Sequence, residues 1–237
     1  MYAEKVAVFE IKATVCCFKH QINFCLKLQG SPEDNLTTVW RETELFNEEN
    51  PQEYFYSHMK LSMFCQTSNP NKSMCCMKGR AAEVKTLGRP LRHVWKMHMV
   101  RGDTHHENVL LALDLNCRLE QILDENPDCI RLPPVAATEF EQSAFAFCVV
   151  YNALATHYNL QRKMIFDITV KHHYLLHVAI NAKFLNPRKG WCYAGEDFMH
   201  TSKEVASSCT RGTPPGLTSR KFLQKYREGM HIEFLEP

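Results

Sequence analysis

Apolar and polar residues alternate through residues 5–29, KVAVFEIKATVCCFKHQINFCLKLQ, with Val, Ile, Thr and Phe prominent. A period of two marks a half-buried strand, so residues 6–11 and 22–28 are read as strands, closed by Gly30-Ser-Pro. Residues 31–52 are polar and acidic and read as a connecting loop or short helix. Residues 54–64 return to apolar character before the turn cluster QTSNPNKS. The alternation in residues 93–100, HVWKMHMV, predicts another strand.

Beyond it the period changes. Val109, Leu110, Leu113, Cys117, Ile122 and Leu123 fall at helical spacing, with Thr104 as N-cap, Glu107 completing a capping box, and Asn126-Pro127 as the stop. After Pro133-Pro134, the residues Phe140, Ala144, Phe147, Tyr151, Leu154 and Tyr158 step by four and three, the cleanest amphipathic helix in the chain. Further helices are expected over residues 165–184, 196–209 and 218–230, separated by Asn186-Pro187 and Thr-Pro-Pro-Gly. The fold expected from these patterns is α+β. A small mixed region, 1–132, packs on a helical half of about four helices, 135–237, as one compact unit.

Composition narrows the class. With 45% hydrophobic and 23% charged residues the chain is globular, and its apolar runs fall short of the ~20 residues of a membrane helix. MYAEKVAVFEIK carries charges among its apolar positions and does not read as a secretory signal, so the sequons at Asn35 and Asn71 read as chance matches. Eleven cysteines, an odd number, several of them inside apolar runs (Cys16, Cys17, Cys25, Cys148), point to free thiols in a reducing compartment, cytoplasm or nucleus. No Gly-rich phosphate loop and no GxSxG elbow occurs.

Charge is uneven although the net value is only +2. Nine acids face three bases between Arg101 and Glu141; nine bases face three acids between Lys183 and Arg227. The basic tail is a candidate phosphate-binding surface for DNA or RNA, with Lys189, Arg211, Arg220, Lys221 and Arg227 as its contacts. The plain alternative is a solvated helix face.

Histidines supply the other candidate chemistry. His173 and His177 stand four apart, so their rings leave one helix face a turn apart, a spacing that lets two imidazoles meet one ion. Glu196 and His200 repeat that spacing on the next helix, and the four together would suit a divalent metal, Mg, Mn or Zn. The same residues also suit a buried polar network inside a non-enzymatic helical interaction module. Two cysteine sets are weaker candidates for zinc: Cys16, Cys17, His20 and Cys25, and Cys65, Cys75 and Cys76 with His93 and His98.

Lys171-x-His173…His177, then Asn186-Pro187-Arg188, then Trp191…Gly195-Glu196-Asp197 resembles the C-terminal part of uncharacterised multi-copy open reading frames of protists. Residues 171–209 also resemble the last acidic helix of transposase-type nuclease domains. That resemblance implies carboxylates holding two Mg²⁺ or Mn²⁺ ions for in-line attack on a phosphodiester. Glu196 or Asp197 would be the last carboxylate and Asp114, within LLALDL, an earlier one.

Overall fold

The computed structural model describes residues 30–51, 58–60, 81–162, 166, 168–190 and 193–235, without the side chains of 32, 81, 82, 193–201 and 230–235. The strands expected at 6–11 and 22–28, and the cysteine sets built on Cys16 and Cys65, lie outside the described residues. The chain divides into two compact units, Met1–Trp191 and Cys192–Pro237.

The described part of the first unit is built from helices. These are α1 (Pro32–Glu49), α2 (Ala81–Thr86), α3 (Gly88–His98), α4 (Thr104–Glu125), α5 (Pro134–Leu160) and α6 (Val170–Asn181), followed by a 3-10 turn over Pro187–Gly190. No strand occurs among the described residues, which corrects the expected α+β class: what is seen is all helical. One described segment accounts for the difference, and a second, read as a loop or short helix, is a longer helix than expected.

The first is residues 93–100, the last part of α3 rather than a strand. Leu87 at its cap and Leu91, Val94 and Trp95 form a buried helical stripe that begins before the alternating stretch does. Pro90 sits in the first turn, where its missing N–H costs nothing. The second is the polar segment 31–52, which becomes the eighteen-residue α1. Its start is a full capping box, with Asp34 N–H donating to Ser31 Oγ at 3.2 Å and Ser31 N–H to Asp34 at 3.2 Å. The buried face is Asn35, Leu36, Val39 and Thr43, so polar residues fill half of the stripe and hide it from a hydrophobic pattern.

Each helix packs chiefly on its neighbour: α1 and α2 on α3, α3 on α4, α4 on α5, α5 on α6. Gly88 lies where α3 meets α4; a Cβ there would stand 3.4 Å from Asn116 Nδ2. α4 begins one residue earlier than expected, with Asp103 as N-cap accepting from the N–H groups of His105 (2.9 Å) and His106 (3.0 Å), and ends at Asn126. Those bonds, the one from His106 first, hold the Asp103 carboxyl below the usual range. α5 starts with Pro134 at its first position, and the expected stripe from Phe140 to Tyr158 is buried throughout. From its core face Tyr151 meets Phe147, Phe166 and the His172 ring at 5.7, 5.2 and 4.4 Å between centroids. Asn186, fully buried, ties the end of the unit together: its Nδ2 donates to the carbonyls of Asn126 (2.8 Å) and Cys129 (3.0 Å).

The second unit is a helical hairpin, α7 (Tyr193–Thr210) and α8 (Pro215–Leu235), turned at Gly212 with φ +67°. The described cysteines Cys117, Cys129, Cys148 and Cys209 are free thiols. Burial pushes the Cys117 thiol up to about 11, so it stays protonated. No described helix is long and apolar enough to cross a membrane.

Candidate functional site

α6 places the histidines. Thr169 caps it, and His172 takes the third position of a capping box, with Thr169 N–H donating to Nδ1 at 3.2 Å. His172, Leu175 and Ala179 form the buried face. The stripe carrying His173, His177, Ile180 and Phe184 faces solvent, so these two histidines are not part of a buried polar network. His173 and His177 meet edge to face with ring centroids 4.4 Å apart and Nε2 atoms 2.9 Å apart. The spacing did bring the two rings together; what it could not show was on which side of the helix they stand.

Glu196, Asp197 and His200 all lie on α7 in the second unit, and their side chains are outside the described residues. Of the four proposed metal ligands, the described side chains are His173 and His177. Among the described residues no group of three or more His, Cys, Asp or Glu side chains comes together as a metal centre. Asp114 lies on α4, not on a strand. It is held by Arg92 Nε and lies 3.9 Å from Lys96 Nζ, an ion pair tying α3 to α4.

The proposed phosphate contacts sit as follows. Lys189 is exposed in the 3-10 turn of the first unit. Arg211 is exposed at the hairpin turn, and Arg220 and Arg227 are exposed on α8, seven apart and so on one side. Lys221 is half-buried, its Nζ donating to Thr213 Oγ1 at 2.8 Å; Lys225 Nζ donates to Ser208 Oγ at 3.1 Å. Phe222 and Tyr226, both half-buried, stack at 6.2 Å. Lys203, Glu204, Ser207 and Ser208 of α7 and Arg211 of the turn line an open cleft of about 580 Å³. Between Lys203 and Arg227 six bases stand against one acid, Glu204.

Five cations of the first unit are tied down: Lys85 to Glu120 and Asp124, Arg92 and Lys96 to Asp114, Arg118 to Glu125 and Glu139, Arg188 to Asp124; others of that unit, such as Arg41, Arg101 and Lys183, are in no ion pair among the described residues. Arg118 grips Glu139 with two bonds, 2.6 and 2.8 Å, which hold that carboxyl below its usual range. None of the six hairpin cations is in an ion pair among the described residues.

One cluster escaped the sequence reading. His105, at the start of α4, stacks on His157 at 4.8 Å and meets Tyr158 Oη through Nε2 at 2.8 Å, both partners being at the end of α5. A short connection between antiparallel neighbours puts the start of one helix beside the end of the next, so His105-His106 and His157-Tyr158 were the signal. Burial first, then the positive charge of His157, lowers the His105 imidazole to about 4. The folded form therefore binds this proton more weakly than the unfolded chain, and stability is lost as pH falls from about 6.5 towards 4. Discounted for partial exposure, the loss is about 1–2 kcal/mol. Thermal unfolding at pH 7 and pH 4.5 should show it in the wild type and show it reduced in His105→Gln. An unchanged acid loss in that variant would remove His105 from the account.

No family model, curated protein or solved structure matches the chain.

Proposed function

We propose that the chain is a nucleic-acid-associated protein of a reducing compartment, and that its C-terminal hairpin binds phosphate backbone. The observation that carries this reading is the set of six cations on α7, α8 and their turn, none in an ion pair among the described residues. Lys203, Arg211, Lys221 and Lys225 are held near Ser207, Ser208 and Thr213, whose hydroxyls can donate to phosphate oxygens as well. Such contacts exchange protein charge for released counterions and carry no base sequence. The resemblance of residues 171–209 to mobile-element proteins favours the same partner. Asp114 already serves two cations, so the proposal is one of binding rather than of phosphodiester cleavage.

Fluorescence anisotropy with a short labelled duplex, from about 50 to 200 mM salt, tests this; four phosphate contacts give a log–log slope of about −3.6. Replacing Lys203, Arg211, Lys221 and Lys225 together by Ala should flatten the slope and leave the circular dichroism spectrum unchanged. Absence of binding at the lowest salt, or an unaltered slope in the variant, overturns the reading.

The other reading, a non-enzymatic helical module that binds protein, is favoured by the outer side of α5. There Val135, Phe145, Val149 and Leu160 are exposed at 81, 42, 68 and 82%, and the charged side chains of this 27-residue helix are Glu139 and Glu141. Surface helices usually turn charge to solvent. Loss of nucleic-acid binding together with an intact fold leaves this reading standing.

A further inference from the structure

His173 and His177 are arranged more closely than two unrelated exposed side chains need to be. Their Nε2 atoms face each other at 2.9 Å, close enough that one imidazole N–H donates to the lone pair of the other. Both rings stand on the solvent side of α6, and the helix is fixed behind them by the buried His172, Leu175 and Ala179. The helix keeps its backbone bonds whatever the rings hold. Taking up a cation in place of that hydrogen bond turns the two exposed rings so that both Nε2 lone pairs meet off the line between them, and leaves the helix backbone where it is.

Geometry then selects among cations. With metal–nitrogen bonds of ~2.0–2.1 Å, nitrogens held 2.9 Å apart subtend an angle of about 90° at the ion. That is the angle between neighbouring positions of a square-planar or octahedral centre, and it is narrower than the tetrahedral angle zinc prefers. We propose that His173 and His177 form a two-point clamp for late divalent transition-metal ions of tetragonal preference, Ni²⁺ and Cu²⁺, with Zn²⁺ held more weakly. The two imidazoles occupy neighbouring positions and the remaining ones take water or an outside donor; the ring that carried its proton on Nε2 takes it on Nδ1 instead, by exchange with solvent, so that both Nε2 lone pairs address the metal. The clamp needs neither the side chains of the second unit nor the proposed phosphate-binding surface.

Isothermal titration calorimetry of the full chain with NiCl2 and with ZnCl2 tests the proposal. Nickel is preferred to copper as the probe, because free thiols reduce Cu²⁺. One Ni²⁺ site is expected, bound more tightly than Zn²⁺ at the same histidines and weakened by about tenfold or more in either His173→Ala or His177→Ala, since one imidazole alone loses the chelate advantage. The double variant should be no weaker than the single ones, because either deletion already breaks the clamp. His157→Ala, on a different helix, should leave the site intact. Exposed positions inside a helix accept Ala, so circular dichroism of the variants should match the wild type. Nickel binding that survives His173→Ala, or that falls additively across the two substitutions, overturns the clamp. Zinc bound at these histidines more tightly than nickel overturns the geometric argument for the metal class.

Discussion

Trp95→Ala is expected to lower the stability of the first unit by about 3–5 kcal/mol, the range for removing a large aromatic side chain from a packed interior. Trp95 has no exposed surface. It comes from α3, whose stripe Leu87, Leu91, Val94 and Trp95 fills the space between α1 and α4. Its Nε1–H donates to the His106 carbonyl at 3.1 Å, and its ring lies 5.3 Å from the His106 ring. Truncation therefore leaves a void and removes one donor from the His106 carbonyl, and both costs fall on the same helix start that carries His105. Trp95→Phe keeps much of the volume and loses the hydrogen bond, and should cost about 1–3 kcal/mol. Urea unfolding of the three proteins measures both. A Trp95→Ala midpoint close to that of the wild type would show that the α1–α3–α4 packing is not the stabilising core of this unit.

The legible part of the fold was the part where packing alone decides the pattern. The α5 stripe from Phe140 to Tyr158 could be read because every buried position on that line is large or apolar enough to register. α1 reads only as a loop or short helix, because Asn35 and Thr43 occupy buried positions: Thr43 Oγ1 satisfies itself on the Val39 carbonyl at 2.8 Å and so enters the core at small cost. The end of α3 has the alternation of a strand, and only its cap and first half carry Leu87 and Leu91 of the helical stripe. A helix of eleven residues offers few turns, and a period judged over its last six residues is ambiguous between two and 3.6.

The candidate sites divide along the same line. Local spacing gave the His173–His177 contact, since four residues on a helix fix it. It could not give the His105–His157–Tyr158 cluster, whose members are some fifty residues apart and meet only because α4 and α5 run antiparallel. Charge counting pointed to the basic tail. Counting could not separate cations held by carboxylates, such as Arg118 on Glu139, from those in no ion pair, because pairing is a property of the packed helices.

A second large loss is expected from Lys85→Met. Lys85 Nζ lies 3.1 Å from Glu120 and 3.2 Å from Asp124, and Arg188 reaches Asp124 at 2.5 Å, so α2, α4 and the 3-10 turn share one charged network. The Glu120 side chain is 14% exposed, and burial raises its carboxyl above the usual range, against the pull of Lys85. Removing the ammonium while keeping the carboxylate leaves a charge with little water and, among the described residues, no counter-ion within bonding reach. Breaking a fully buried pair costs about 3–5 kcal/mol; with the remaining exposure of Glu120 the loss here should be about 2–4 kcal/mol at neutral pH. The pH dependence carries the distinguishing sign. A carboxyl whose folded pKa is raised stabilises the folded form while it is protonated, at and below the unfolded value of 4.5, and that contribution is lost as pH rises through the folded pKa. The Lys85→Met deficit relative to wild type should therefore shrink as the pH is lowered from 7 towards 5. Adding Glu120→Gln should recover much of the deficit at pH 7 by removing the stranded charge. Chemical unfolding of the single and double variants at the two pH values reads both effects. A deficit that is equal at both pH values, with no recovery in the double variant, would assign the loss to the packing of the lysine stem instead.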